Sequence, residues 1–212
     1  MNHDLILLDI DTQEDFFLPA GSLYTGAAEV IRTNIYKLFG WAKRKEIPII
    51  STTLRLTPGA AGPYGTRSYC QQSTHGEMKL SRTRLMHSVN LGIRNISDLP
   101  GDLFEHYQQV IVERSFMDVF RHQRLERLIM QNRHARFVVC GAGLCRSVVQ
   151  AVIGLCARGI PTIVPVDSVL NIVNDDTQMV WKRMLAKNAL LTHAHEVTKS
   201  HSKLFESLKI AS

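Results

Sequence analysis

The stretch Phe137-Val138-Val139-Cys140-Gly141-Ala142-Gly143-Leu144-Cys145-Arg146-Ser147-Val148-Val149-Gln150 decides the fold of this chain. Its apolar start predicts a buried strand, its two glycines a tight turn, and its remainder the first turn of a helix. Backbone N–H groups are unpaired at a helix N-terminus and favour negative charge there. A cysteine just after the turn would be activated as a thiolate, but this chain has Ser147 there, with Cys145 two residues earlier.

The alternation of strand and helix extends in both directions from this stretch. Continuous apolar strands separated by amphipathic helices are typical of a parallel sheet that is buried on both faces. We therefore expect an α/β fold, a three-layer sandwich in which helices cover both faces of a mostly parallel six-stranded, Rossmann-like sheet. The predicted strands are Asp4–Asp9, Ile47–Thr53, Gln109–Arg114, Phe137–Cys140, Pro161–Asp167 and Ala189–His193; the predicted helices are Ala27–Lys45, Arg121–Asn132, Arg146–Arg158 and Asp175–Asn188, followed by a short helix at the end of the chain.

Composition limits the class of protein. A chain of 212 residues that is 45% hydrophobic and 21% charged predicts a single globular domain over residues 1–212. No apolar run has membrane-spanning length and no signal peptide is recognisable, so we expect a cytoplasmic protein with no membrane partner. The net charge of +6 comes from scattered Lys and Arg residues, so no nucleic acid partner is expected.

Three polar residues follow the predicted strands. Asp11 lies after the first strand, Arg114 ends the third, and Ser147 lies past the fourth. Because ligands bind beyond the carboxyl ends of parallel strands, these side chains are expected to converge in one pocket. The long polar segment at 56–88 is typical of a functional loop beside such a pocket.

Taken in order, several segments resemble the isochorismatase-like hydrolases, also called the cysteine hydrolase superfamily. Residues 8–17, Leu-Asp-Ile-Asp-Thr-Gln-Glu-Asp-Phe-Phe, are similar to the family's D-x-Q-x-D-F motif. Residues 70–76, Cys-Gln-Gln-Ser-Thr-His-Gly, are similar to the C-x-x-G-T-x-G loop of its nicotinamidase-like branch, with Ser73 in place of glycine. Residues 141–150 resemble the nucleophile motif G-V-x-T-x-x-C-V-x-Q. The resemblance covers nearly the whole chain and implies a homo-oligomer.

The resemblance implies a divergent active site. Family members use Asp, Lys and Cys, which fall here on Asp11, Arg114 and Ser147. A serine hydroxyl is far harder to ionise than a thiol and needs an adjacent base. A guanidinium binds a carboxylate in bidentate fashion better than a lysine does. If the turn is two residues shorter than this alignment assumes, Cys145 takes the place of the nucleophile.

The same resemblance implies which other residues contact the substrate. Gln13, Cys70, Ala142 and Gly143 are the candidate substrate-binding residues, and the bond between Ala142 and Gly143 is expected to be cis, aiming an amide at an oxyanion. Metal-binding members of the nicotinamidase branch carry Asp-x-His where this chain has Thr-Leu-Arg at 53–55. We therefore expect neither a metal nor another cofactor.

Two functional hypotheses follow from these residues. The first is a hydrolase that acts on an amide (C–N) or ether-type bond of a small, anionic metabolite. The second is a catalytically inactive member of the family that acts as a ligand-binding or assembly module, because both Lys and Cys are replaced.

Overall fold

A computed structural model describes residues 3–60, 62, 64–65, 68–101, 103–172 and 176–199. Strands alternate with helices along these ranges, as the sequence predicts. The strands are β1 (Leu5–Ile10), β2 (Ile49–Leu54), β3 (Ser88–Asn90), β4 (Gln109–Arg114), β5 (Arg136–Ala142), β6 (Thr162–Pro165), β7 (Val169–Leu170) and β8 (Leu190–Thr192). The helices are α1 (Glu14–Phe17), α2 (Ala28–Arg44), α3 (Leu103–His106), α4 (Gln123–Gln131), α5 (Val149–Ala157), α6 (Thr177–Leu185) and α7 (Ala194–Lys199).

The strands form one parallel sheet with β1 near its centre. The order is β3-β4-β2-β1-β5-β6-β8, and β7 pairs with the carboxyl end of β5. From β1 the chain continues to β2 and then to the edge strand β3, and it returns to β4 between them. It then crosses to β5, on the other side of β1, and continues to β6 and β8. Connections leave the carboxyl ends of β1 and β5 in opposite directions, and this opens a crevice between them.

The predicted fold class is confirmed, but the predicted number of strands is wrong. All six predicted strands form, and the sheet has eight strands in the described part of the chain. The two additional strands, β3 and β7, contain three and two residues and carry no apolar run that periodicity can detect. The strand predicted at 161–167 ends at Pro165, because residues 166–168 form a 3-10 turn that leads into β7.

Side chains of the central strands pack on both faces of the sheet. In β1, Leu8 belongs to one buried cluster and Leu7 to another on the opposite face. Such alternation explains why the strand is apolar at nearly every position. Asp9 is the exception, and its side chain is fully buried.

Helix boundaries differ from the prediction mainly after β5. Residues Leu144–Val148 form a π-helical turn, so α5 starts at Val149 rather than at Arg146. The predicted start of α6, Asp175, lies outside the described residues, and Asp176 caps α6 by accepting a hydrogen bond from the Met179 N–H. No helix in the described ranges has both the length and the apolar character needed to cross a membrane. A single domain over residues 1–212 stays a prediction.

Candidate active site

Asp11 and Arg114 form a fully buried ion pair at the carboxyl edge of the sheet. The Arg114 Nη2 donates to Oδ2 of Asp11, and both side chains are 0% exposed. Arg114 ends β4, which is separated from β1 by β2. A long side chain is needed to cross the end of β2, and arginine supplies that reach together with a planar donor group.

The neighbours of this pair hold the carboxylate of Asp11 in place. Thr52, on β2, donates its hydroxyl to Asp11 Oδ1 at 2.7 Å, and its carbonyl accepts from the Asp11 N–H at 3.1 Å. Asp11 has a φ of 52°, a left-handed conformation that Asp tolerates better than most residues. Each carboxylate oxygen therefore accepts a hydrogen bond, one of them from a cation.

Arg114 keeps one buried donor unused. Its Nη1 donates to the carbonyl oxygen of Phe116, while its Nε has no hydrogen-bond partner among the described residues. A buried donor without an acceptor is costly. The Nε–H of Arg114 therefore lacks, within the described ranges, the acceptor that a buried donor normally has.

Ser147 joins the pair through a tyrosine from the 56–88 segment. The Ser147 Oγ lies 3.2 Å from the Tyr64 Oη, at hydrogen-bond distance, and the serine is fully buried. Burial raises the pKa of the Tyr64 phenol, and the nearby charge of Asp11 raises it further, against a smaller opposing effect of Arg114. A single buried phenol thus contacts Ser147, and its pKa responds to the charges of both members of the ion pair. That Asp11, Arg114 and Ser147 act together in catalysis stays a prediction.

The expected cis bond between Ala142 and Gly143 is not found: the described residues contain no cis peptide bond. Gly143 adopts a left-handed conformation with a φ of 86°, and its N–H donates to the Leu170 carbonyl at 2.9 Å. Leu170 belongs to β7, and Ala142 is its partner in the ladder. Pairing with β7 therefore engages the amide that was expected to face an oxyanion.

Gln13 holds two backbone segments together. Its Nε2 donates to the carbonyl oxygens of Leu54 at 2.7 Å and Glu77 at 2.8 Å, and its Oε1 accepts from the Leu54 N–H at 2.7 Å. The amide thus ties the turn after β1 to the end of β2 and to the His75–Glu77 turn. Contact between Gln13 and a substrate stays a prediction.

Cys70 is buried beside the same loop. Its N–H donates to Oδ2 of Asp15 at 2.6 Å. Burial raises the pKa of the Cys70 thiol well above its ordinary value, and the carboxylates of Asp15 and Asp11 add to the effect. The residue therefore remains a thiol, which is a poor nucleophile.

The structure brings Cys145 to a different environment from Ser147. Cys145 packs against the hydrophobic cluster that includes Val148 and Val149. Residues two positions apart on a helical turn point in different directions. The hydroxyl of Ser147 contacts Tyr64. The alignment on Ser147 stays a prediction.

A second buried ion pair was missed by the sequence analysis. The Lys79 Nζ donates to Oδ2 of Asp9 and, at 2.7 Å, to the hydroxyl of Thr12. Ser51 donates to the same oxygen of Asp9 at 2.9 Å. Burial raises the pKa of Asp9, although Lys79 opposes this. An Asp in an apolar strand signals that a partner exists, but it does not identify that partner.

A metal site in a protein needs several ligating side chains that converge on one point. The part of the chain that the structure describes contains no group of three or more His, Cys, Asp or Glu side chains arranged to hold a metal ion. The absence of a metal or other cofactor stays a prediction from the sequence.

His122 is a buried imidazole near Arg114 and gives a testable pH dependence. Its pKa is lowered from 6.5, first by burial and then by the charges of Arg124 and Arg114. At a pH between that lowered pKa and 6.5, the unfolded chain binds more protons at His122 than the folded chain does. The contribution of the neutral His122 to stability is therefore fully present above about pH 6.5 and is lost as the pH drops. The free energy of unfolding of the wild-type protein is expected to fall between pH 7 and 5.5. We expect this fall to be smaller in His122→Gln, by up to about 1.4 kcal/mol per pH unit.

Urea unfolding at both pH values measures this difference, and the free energy of unfolding of the wild-type protein at pH 7 is the reference. If the free energy of unfolding changes with pH in the same way for the variant and the wild-type protein, His122 takes up its proton equally well in the folded and the unfolded chain.

This chain is similar to known proteins both in sequence and in fold. The profile of the isochorismatase domain matches residues 5–196. No curated protein matches the chain significantly. Among solved structures, N-carbamoylsarcosine amidase from Thermoplasma acidophilum is similar, with 14% identity, a TM-score of 0.67, and coverage of 92% of this chain and 97% of that one.

Two further solved structures have similar folds. The nicotinamidase/pyrazinamidase of Bacillus subtilis has 14% identity and a TM-score of 0.71, with 91% of this chain and 100% of that one covered. The pyrazinamidase of Pyrococcus horikoshii, solved in complex with zinc, has 18% identity and a TM-score of 0.67, with 90% and 99% covered. These identities support the fold, and the domain match covers nearly the whole described chain. The chain therefore belongs to the isochorismatase family.

Proposed function

We propose that this protein hydrolyses a C–N bond in a small amide-type substrate and that Asp11 activates the attacking water. The observation that carries the proposal is the buried carboxylate of Asp11, which accepts from Arg114 and Thr52. Asp11 follows β1, and Ser147, whose hydroxyl contacts Tyr64, follows the neighbouring strand β5. Arg114 and Thr52 hold this carboxylate in one orientation. A carboxylate that is fixed in position can act as a general base toward a water molecule within hydrogen-bond reach.

Two other chemical routes fit this geometry less well. A serine nucleophile needs a base within hydrogen-bond reach, and the partner of Ser147 among the described residues is the phenol of Tyr64. Cleavage of a vinyl ether needs a carboxylic acid that gives up a proton. Both oxygens of Asp11 already accept hydrogen bonds, from Thr52 and from Arg114, so neither is placed to give a proton to a substrate. Attack by water is the route that remains.

The unused donor of Arg114 bears on the choice of substrate. Asp11 already balances the charge of this guanidinium, so the excess positive charge that would attract a dianion is missing. The buried Nε–H nevertheless lacks an acceptor within the described part of the chain. We therefore propose that a substrate oxygen, carbonyl or carboxylate, binds to Arg114 Nε. A cytoplasmic, homo-oligomeric enzyme without a cofactor is part of the same proposal.

Ammonia release from a panel of small primary amides and carbamoyl compounds tests the hydrolase. We expect turnover that survives treatment with iodoacetamide, because no thiol takes part. Cys145→Ala is the matched control, and we expect it to change kcat by less than about twofold. Failure of the whole panel at high enzyme concentration would reject the hydrolase, and loss of turnover on alkylation or in Cys145→Ala would restore the thiol mechanism.

A non-catalytic role is the second candidate, and one observation favours it. Asp11, Arg114 and Ser147 are all 0% exposed, and the hydroxyl of Ser147 contacts the phenol of Tyr64, which is not a base that activates serine. A ligand-binding module predicts that members of the amide panel raise the melting temperature without releasing ammonia. Turnover by the unmodified protein would exclude this role.

A further inference from the structure

We infer that the hydroxyl of Tyr64 donates the hydrogen bond that stabilises the substrate's carbonyl oxygen during hydrolysis. This inference rests on the proposed function and assigns one more catalytic residue to the same site. The family resemblance implies that the backbone amide beside Gly143 has this role. The structure offers a side-chain donor at the same place instead.

The backbone donor is engaged elsewhere. The Gly143 N–H donates to the Leu170 carbonyl at 2.9 Å and is held there by the pairing of β7 with β5. An oxyanion in this site therefore needs another donor. Removing a preorganised donor from such a position is costly for acyl transfer, so a working hydrolase has to replace it.

Tyr64 lies directly over Gly143. A Cβ atom built on Gly143 would overlap the Oη of Tyr64, so the phenol can approach the backbone only because this residue is glycine. The same Oη lies 3.2 Å from Ser147 Oγ. Two hydroxyls therefore lie side by side at the end of β5, where the resemblance placed the oxyanion.

The phenol is held rigidly and keeps its proton. The Tyr64 ring packs against Phe16 and Tyr69, with ring centroids 5.7 and 5.6 Å away, and the Tyr64 N–H donates to the Tyr69 hydroxyl at 2.7 Å. Burial and the charge of Asp11 raise the Tyr64 pKa. The hydroxyl is thus a fixed, protonated donor at any pH at which the protein is assayed, which is what an oxyanion requires.

The reaction step balances with these groups. Water attacks the carbonyl carbon of the amide and gives one proton to the Asp11 carboxylate, while the π electrons of the C=O bond move to oxygen. The resulting oxyanion accepts the hydrogen bond from Tyr64. Its collapse reforms the C=O bond and breaks the C–N bond, and the leaving amine takes the proton from Asp11. The products are a carboxylic acid and an amine, and Tyr64 keeps its proton throughout.

Tyr64→Phe tests the inference, because it removes the hydroxyl and keeps the ring. For the best amide of the panel we expect kcat to fall by about 10²–10³-fold, with KM changed by only a few fold. The matched control is Tyr36→Phe. Tyr36 lies on α2, and the guanidinium of Arg82 stacks on its ring, 4.4 Å from the ring centroid. We expect the control to retain the wild-type kcat. An unchanged or increased kcat in Tyr64→Phe would show that the phenol only obstructs the site and would overturn the inference.

A binding measurement separates this inference from the proposed function. Dissociation constants for benzamide are measured by NMR titration with the wild-type protein and with Tyr64→Phe. A donor to the carbonyl oxygen predicts binding that is weaker by about 5–30-fold in the variant. That result without turnover by the wild-type protein would reject the hydrolase and retain Tyr64 as the carbonyl donor. Equal affinities, or no binding to either protein, would overturn the assignment of Tyr64.

Discussion

Replacing Asp11 with Asn is expected to lower kcat by about 10²–10⁴-fold, which is the range for loss of a general base. Asparagine has nearly the same shape and tolerates the left-handed backbone at this position, where φ is 52°. Its amide oxygen can still accept from Thr52, but it cannot take a proton from water. Steady-state ammonia release with saturating substrate measures the effect on kcat.

Stability must be separated from chemistry in this variant. Asp11→Asn leaves the buried guanidinium of Arg114 without its counter-ion, so the variant is assayed well below its own melting temperature. A near-UV circular dichroism spectrum that matches the wild-type spectrum confirms that the fold is intact. A folded variant that retains more than about one tenth of the wild-type kcat would remove Asp11 from the chemistry.

The fold was largely predictable because its signals are local. The apolar runs that became β1, β2, β4, β5, β6 and β8 are each bounded by polar or turn residues, and parallel strands with helical crossovers leave few alternative topologies. The two short strands carry no such signal. β7 is only two residues long, yet it engages the Gly143 N–H and thereby changes the expected chemistry of the turn.

The site was predictable only where strand ends define it. Asp11 and Arg114 could be placed together because the carboxyl ends of parallel strands meet at one edge. Tyr64 could not, since it belongs to an irregular segment whose side chains follow no periodicity. The same holds for Lys79, which pairs with Asp9 across 70 residues of sequence. Contacts made by such loops depend on the tertiary fold and not on a local pattern.

Arg114→Met is expected to destabilise the protein by about 3–5 kcal/mol, because it leaves a carboxylate buried without its cation. For a chain of this size that corresponds to a melting temperature lower by about 6–20 °C. Methionine fills much of the volume of the arginine stem, so a cavity contributes little. Urea denaturation at pH 7 measures the difference in the free energy of unfolding.

The matched control for this prediction is Arg55→Met. Arg55 also forms an ion pair, in which it donates to Glu113 at 2.7 Å, but the side chain of Arg55 is 31% exposed. Solvent compensates for the loss of such a pair, so we expect a change below about 1 kcal/mol. If the two variants lose equal stability, the ion pair with Asp11 contributes no more than one near the surface.

The double variant Asp11→Asn/Arg114→Met tests whether the ion pair of Asp11 and Arg114 serves the stability of the fold or catalysis. Removing both charges leaves no uncompensated ion, so we expect it to be more stable than Arg114→Met alone, despite carrying one more substitution. A buried pair that can be replaced with little loss of stability is not needed for folding. Its retention in a site at the mouth of the sheet then points to chemistry, and a double variant that is folded and inactive is the expected result. If the double variant is instead as unstable as the sum of the single variants, the pair stabilises the fold, and its burial is no longer an argument for catalysis.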